Sequence, residues 1–161
     1  MKLNTFAATV MMAAMTTAAP ITIEKRAGTS YNGGTNSSDI QNNVCAPLTF
    51  LFARGSTEPG NMGSTVGPAL AKQLISSLGA SQVAVQGVNY DATIESNASM
   101  GSDGGPNMAS LGNQVLAACP STKLVLGGYS QGATVTHYAV KSGGLSADSV
   151  AAVVLYGDPG T

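Results

Sequence analysis

Between Leu48 and Tyr156 four short, continuously apolar runs alternate with three longer amphipathic stretches, and this order restricts the fold more than any other feature. The runs are Leu48–Ala53, 83–88, 123–128 and Val150–Tyr156, each bounded by Gly, Ser or Pro. Their length and composition read as buried strands. The first intervening stretch can be capped by Ser64 or Thr65, holds Pro68 in its first turn, and repeats Leu70, Leu74 and Leu78 on one face before Gly79, which predicts a helix. A second helix is predicted over 103–118, where Met108, Leu111, Val115 and Leu116 share a stripe, and a third from the residue after Ser130 to about Lys141. Strand and helix in strict alternation predict right-handed crossovers and a parallel sheet covered on both faces, a three-layer α/β sandwich. Ligands gather at the carboxyl ends of such strands, so the loops after Ala53, Val88, Gly128 and Tyr156 are the place to look for function.

Charged residues make up 9% of the 161, against about 25% in an average soluble domain. With 43% apolar residues and a formal charge of −1, the chain is not of the disordered class. It also lacks the basic field that holds a phosphate backbone, so no nucleic-acid partner is expected. Lys2 precedes an apolar stretch from Phe6 to Met15, and small residues lead to Ala18, which reads as a secretory signal peptide over 1–18. Cleavage after Ala19 would put Pro20 next to the cut, which favours Ala18. The dibasic pair Lys25-Arg26 suggests a propeptide over 19–26; the alternative is two solvated charges. Without residues 1–26 the chain has 4 basic and 7 acidic side chains, a net −3. Beyond Ala19 no apolar run approaches the roughly 20 residues of a membrane-spanning helix, so an extracellular protein with no membrane span is expected. Residues 27–43 are largely Gly, Ser, Thr and Asn, with Tyr31 and Ile40 the large apolar exceptions, and read as a flexible arm ahead of a domain over 44–161. Cys45 and Cys119 suit an oxidising compartment, where linking them would contribute roughly 4 kcal/mol; two buried thiols are the alternative. Two ligands are too few for structural zinc, and no metal is expected.

Gly128-Tyr129-Ser130-Gln131-Gly132 follows the third strand and opens a helix, the context of a nucleophile elbow. A serine on a sharp strand-to-helix turn adopts a strained backbone, and the chain segments beside it approach too closely for side chains at 128 and 132. The turn lifts the Ser130 hydroxyl above the sheet and aims the Gln131 N–H at a developing oxyanion. A phosphate-binding nest at a helix start is the competing reading. No Lys-Ser/Thr pair of a P-loop follows, which favours the elbow.

Together with Ala53-Arg54-Gly55-Ser56-Thr57-Glu58 after the first strand, this motif gives the chain a resemblance to the cutinase family of secreted serine esterases, over about Cys45 to Asp158. Acetylxylan esterases are similar around the elbow but usually lack the Gly-Ser-Thr at 55–57. The resemblance implies an α/β-hydrolase-like sandwich, Ser130 as nucleophile, Ser56 and Gln131 as the oxyanion hole, and a Cys45–Cys119 disulfide. Asn97 resembles the family position that orients the oxyanion serine, yet Asn97-Ala98-Ser99 is also a glycosylation sequon, as is Asn36-Ser37-Ser38. Arg54 and Glu58 read as a surface ion pair that supports the loop.

A serine nucleophile needs a base, and His137 is the one histidine. Seven residues of helix place it roughly 10 Å along the axis from Ser130, whereas a general base lies about 2.6 to 3.2 Å from the hydroxyl. His137 therefore reads as a packed or hydrogen-bonded helix residue. Asp148 and Asp158 are the acids that follow Ser130, and no histidine follows either. The family's acid and histidine come later in its order than Gly157-Asp158-Pro159, so the expectation is a sequence that ends before the C-terminal part of the fold. The activity implied is hydrolysis of cutin polyester or small soluble esters through an acyl-enzyme, without a cofactor, by a monomer. Acetylxylan esterase is the first alternative. An inactive homologue that binds lipid or cell-wall material is the second.

Overall fold

The computed structural model describes residues 26–160. The expected signal peptide over 1–18, and the propeptide as far as Lys25, lie outside the described residues. In chain order the elements are β1 (Arg26–Ala27), β2 (Val44–Cys45), β3 (Leu48–Ala53), α1 (Val66–Leu78), β4 (Val83–Gly87), α2 (Gly105–Ala118), β5 (Lys123–Tyr129), α3 (Gln131–Lys141) and β6 (Val150–Tyr156). Single turns of 3-10 helix occupy Ala80–Gln82, Glu95–Ser99 and Ala147–Ser149. The expected parallel sheet is present in the order β4-β3-β5-β6, and β1 with β2 adds a small parallel ladder. The bond at which the dibasic site would be cut lies inside β1.

β3 is central, and its alternation divides the core. Phe50 and Phe52 point to one layer with Met62, Ala71, Val83 and Val85 beneath α1. Leu51 and Ala53 point to the other, among Met108, Leu111 and Val115 of α2 and Val135 and Ala139 of α3. Burying each large side chain is worth about 1.5 to 3 kcal/mol. α1 keeps its leucine stripe in part: Leu70 and Leu74 pack half-buried against the Phe50 and Phe52 layer, Leu78 is 47% exposed, and the fully buried residues are Gly67, Pro68 and Ala71. The small residues let the helix lie close. A Cβ on Gly67 would stand 2.5 Å from the Phe52 ring. Neither Ser64 nor Thr65 caps the helix with its own side chain; Glu58 does so from a distance, accepting Ser64 N–H and Thr65 N–H at 3.0 Å each.

The second half of the expected flexible arm is part of the fold. Ser37, Asp39 and Ile40 are buried, and the segment lines the outer edge of β4. Asp39 N–H donates to Val85 O at 3.2 Å and Gly87 N–H to Ser37 O at 3.0 Å. Asp39 Oδ2 accepts Val85 N–H at 2.7 Å, and the Gln86 amide bonds Ile40 N–H and Ser37 O. Polar side chains satisfy a strand edge here, so the low apolar content did not betray the packing. Coverage on both faces fails at β6, where Val153, Val154 and Tyr156 are 48%, 36% and 45% exposed because no described element packs over them. Cys45 and Cys119 are joined as a disulfide with Cα atoms 5.7 Å apart, tying β2 to the end of α2. No helix among the described residues is long and apolar enough to cross a membrane.

Candidate active site

Ala53 at the end of β3 lies opposite Gly128 of β5, so the loops that follow emerge together from the carboxyl edge of the sheet. Ser130 sits between β5 and α3 with φ 52° and ψ −116°, a conformation that strains any residue with a side chain. The flanking glycines show what imposes it. A Cβ on Gly128 would stand 2.4 Å from the Gly132 carbonyl oxygen, and one on Gly132 would stand 2.0 Å from that of Ala53. The turn is pinned to β6 as well, because Ser130 N–H donates to Tyr156 O at 2.9 Å. Ser130 thus stands half-buried where the motif predicts it.

Gly55 and Ser56 follow β3. The Ser56 hydroxyl donates to Gln131 Oε1 at 2.9 Å and accepts from Asn97 Nδ2 at 3.0 Å, while Gln131 Nε2 donates to Ser96 Oγ at 2.6 Å. The three residues singled out in the sequence, Ser130, Ser56 and Gln131, are therefore neighbours. Around them the amides of Gly55, Thr57 and Ser130 are consumed by Glu58, Ala92 and Tyr156. Those of Ser56 and Gln131 have no acceptor among the described residues. Two unengaged N–H groups and one hydroxyl at the start of a helix form a site that can stabilise negative charge on oxygen. Asn97 Nδ2 also donates to Ile94 O at 3.1 Å, so its amide hydrogens are committed. Asn36, in the other sequon, is exposed.

The expected Arg54–Glu58 ion pair does not form. Arg54 is 7% exposed and its guanidinium reaches backbone carbonyls instead: Nε donates to Glu58 O at 2.8 Å, and Nη2 to Tyr90 O at 2.7 Å and Asp91 O at 3.2 Å. It also lies 4.8 Å from the centre of the Tyr90 ring. Burial pushes the Tyr90 phenol far above its ordinary value, and its hydroxyl donates to Arg54 O. The Glu58 carboxylate accepts Gly55 N–H at 2.8 Å and the donors of Ser64 and Thr65. Burial opposes its ionisation, yet the Thr65 hydroxyl and the three amides together hold its pKa below the usual value. One carboxylate thereby ties the loop after β3 to the start of α1.

His137 Nε2 bonds Asp158 Oδ2 at 2.8 Å, as a hydrogen-bonded helix residue. The Asp158 side chain is 9% exposed, and the His137 hydrogen bond, then the Gly160 amide, hold its carboxyl below the ordinary range. Among the described residues no group of three or more His, Cys, Asp or Glu side chains could hold a metal. Sequence reasoning missed Ser96 and the capping role of Glu58. Ser96 contacts Gln131 across 35 positions, and nothing local marks it. Glu58 could have been found as an acid a few residues ahead of a helix whose first turn carries none.

Comparison with known proteins bears on the family and the fold. The Cutinase family model matches residues 44–161. Cutinase 4 of Emericella nidulans is 50% identical over 128 residues, 79% of this chain and 56% of the relative. A cutinase of Hypocrea jecorina is 44% identical over 123 residues, 76% of this chain and 50% of the relative. Among solved structures, Trichoderma reesei cutinase in complex with a C11Y4 phosphonate inhibitor superposes with a TM-score of 0.64 at 44% identity, covering 71% of this chain and 53% of that one. An acetyl xylan esterase superposes with a TM-score of 0.55 at 25% identity, covering 71% and 64%. The chain spans about half the length of the curated relatives it matches.

Proposed function

The chain belongs to the cutinase family, and from that premise we propose that it carries the nucleophile and oxyanion hole of a secreted serine esterase. The carrying observation is Ser130 at φ 52° between two glycines that cannot bear a Cβ, beside the unengaged amides of Ser56 and Gln131. Ser130 Oγ attacks the ester carbonyl carbon as its proton passes to a general base. The carbonyl oxygen becomes an oxyanion held by the amides of Ser56 and Gln131 and by the Ser56 hydroxyl. Collapse breaks the bond to the alcohol, which leaves with the proton, and water then releases the acid from Ser130. The base is not His137, which seven residues of helix place roughly 10 Å along the axis from Ser130; the family resemblance assigns that role to a histidine later in the family's order, oriented by an acid. The disulfide suits the extracellular setting.

The substrate proposed is an aliphatic ester, cutin polyester or a short-chain soluble ester. Support comes from relatives named cutinases at 50% and 44% identity, against 25% for the acetyl xylan esterase. Ile94 and Met100, at the two ends of the Glu95–Ser99 turn beside Ser56, are 68% and 69% exposed and offer apolar surface to an acyl or polymer chain. The test is treatment of the native protein with a p-nitrophenyl alkylphosphonate, followed by peptide mapping. An adduct on Ser130, with loss of p-nitrophenyl butyrate hydrolysis, is expected. An unmodified Ser130 would instead point to a protein that keeps the cleft only for binding.

A further inference from the structure

We propose that Ser96 is a positioning residue that, through the Gln131 amide, withholds the Ser56 hydroxyl proton from a neutral ester and yields it only to an oxyanion. The proposal rests on the esterase reading above and adds a residue to the same site. It follows from the direction of each hydrogen bond in a chain whose two ends are backbone carbonyls, which can only accept.

At one end Ser96 Oγ donates its single proton to Thr93 O at 3.0 Å. Ser96 Oγ must then accept from Gln131, which requires the NH2 side of that amide to face it, at 2.6 Å. The opposite side, Oε1, consequently faces Ser56 and takes its hydroxyl proton at 2.9 Å. At the other end Asn97 Nδ2 is anchored on Ile94 O at 3.1 Å and presents its second hydrogen to Ser56 Oγ at 3.0 Å. Asn97 Oδ1 lies 3.4 Å from Ser56 Oγ, a poorer acceptor for the proton than Gln131. Gln131 is 1% exposed, so its amide is not reoriented at will by solvent.

In the free protein the Ser56 proton is therefore committed to a buried carbonyl. A neutral ester carbonyl offers no better acceptor and gains little from displacing it. An oxyanion does, because hydrogen bonds to a charged partner are roughly twice as strong as neutral ones. The Ser56 hydroxyl is then a donor expressed in the transition state and withheld from the ground state, the condition under which binding energy raises turnover. Without the Ser96 hydroxyl the Gln131 amide is free to turn. Its NH2 can join Asn97 on Ser56 Oγ, water can reach its oxygen at half-exposed position 96, and the Ser56 proton is offered to substrate and transition state alike.

The test is Ser96→Ala in the native protein. Expected is a fall of about 3- to 10-fold in KM for p-nitrophenyl butyrate, the worth of one ordinary hydrogen bond, with kcat falling by a comparable factor so that kcat/KM changes little, and Ser96→Thr restoring the original values. An unchanged or raised KM would overturn the proposal, since a merely structural role for Ser96 could only impair binding or turnover and would not tighten the ground-state complex. A second readout needs no activity. The Gln131 side-chain amide hydrogens should exchange slowly with water by NMR and at least tenfold faster in Ser96→Ala; free exchange in the unaltered protein would refute the hydrogen-bond order. Absence of ester hydrolysis would defeat the esterase reading and leave the exchange measurement to decide the role of Ser96.

Discussion

Replacing Asp39 by Ala tests whether the segment ahead of β2 is structural. Asp39 is 5% exposed, and its carboxylate accepts the Val85 N–H at 2.7 Å on the edge of β4. A hydrogen bond to a charged acceptor contributes about 1.5 to 3 kcal/mol, and truncating the acceptor leaves a buried amide unsatisfied. These are one effect and are counted once, so a loss of about 2 to 3 kcal/mol is expected. The backbone bonds of Asp39 with Val85 and Val44 survive truncation and set the upper limit. Asp39→Asn keeps an oxygen in place without the charge and should lose about 1 kcal/mol. With a urea m-value of roughly 2 kcal/mol per molar, the Ala variant should unfold at a midpoint about 1 M lower. Circular dichroism reads that midpoint, and hydrogen exchange at the Val85 amide reads the local effect. A midpoint shift below about 0.3 M, with exchange at Val85 unchanged, would show that the segment is an arm after all and that the edge of β4 satisfies itself by other means.

In a chain that carries the family's acid and histidine, Ser56→Ala should lower kcat about 100- to 1000-fold with KM nearly unchanged, measured by steady-state hydrolysis of a short-chain ester; near-normal turnover removes Ser56 from the mechanism. Gly132→Ala, whose Cβ would stand 2.0 Å from Ala53 O, should abolish activity and destabilise by at least the 1 to 3 kcal/mol typical of overpacking, read by urea unfolding. Cys119→Ser opens a link between residues 74 apart and should cost about 4 kcal/mol, with the same loss on reduction of the unaltered protein by thiol. Glu58 has a depressed pKa in the folded state, so its contribution is present above the unfolded carboxylate pKa and is lost as pH falls through the lower folded value. Glu58→Gln should lose about 1 kcal/mol at neutral pH, as for a removed helix cap, and less below pH 4, a convergence visible in acid titration of the unfolding midpoint.

The four strands of the main sheet were legible within one or two residues because their runs are apolar throughout and punctuated by Gly, Ser and Pro. The elbow was legible because its glycines are demanded by backbone contacts at 2.0 and 2.4 Å, which no other residue type satisfies. What escaped was held by polar groups. Asp39 and Ser37 look like loop residues in sequence, and their value lies in facing the unpaired edge of β4; Gln86, wholly buried inside an apolar strand run, was the one local hint that such a partner exists. In α1 the helix and the packing of Leu70 and Leu74 were legible, but hydropathy singles out leucines and passes over Gly67 and Ala71, the small residues that let the helix lie close to the Phe50 and Phe52 layer. Ser96 escaped because the partner that gives it meaning is distant in sequence.

These polar groups share one design. The loop after β3 is held from three directions: Glu58 grips the start of α1, Arg54 grips the carbonyls of Tyr90 and Asp91, and Ser56 is set between Gln131 and Asn97. Apart from Ser56 and the Thr65 hydroxyl on Glu58, each anchor runs from a side chain to backbone. The loop therefore takes its position from the sheet and helices rather than from other mobile side chains. That matters for charge stabilisation, because a donor already aimed at the developing oxyanion need not reorganise during the reaction. It also separates two kinds of lesion. Loosening Glu58 or Arg54 shifts both the Ser56 amide and its hydroxyl, whereas altering Ser96 leaves the amide in place and changes only where the hydroxyl proton points.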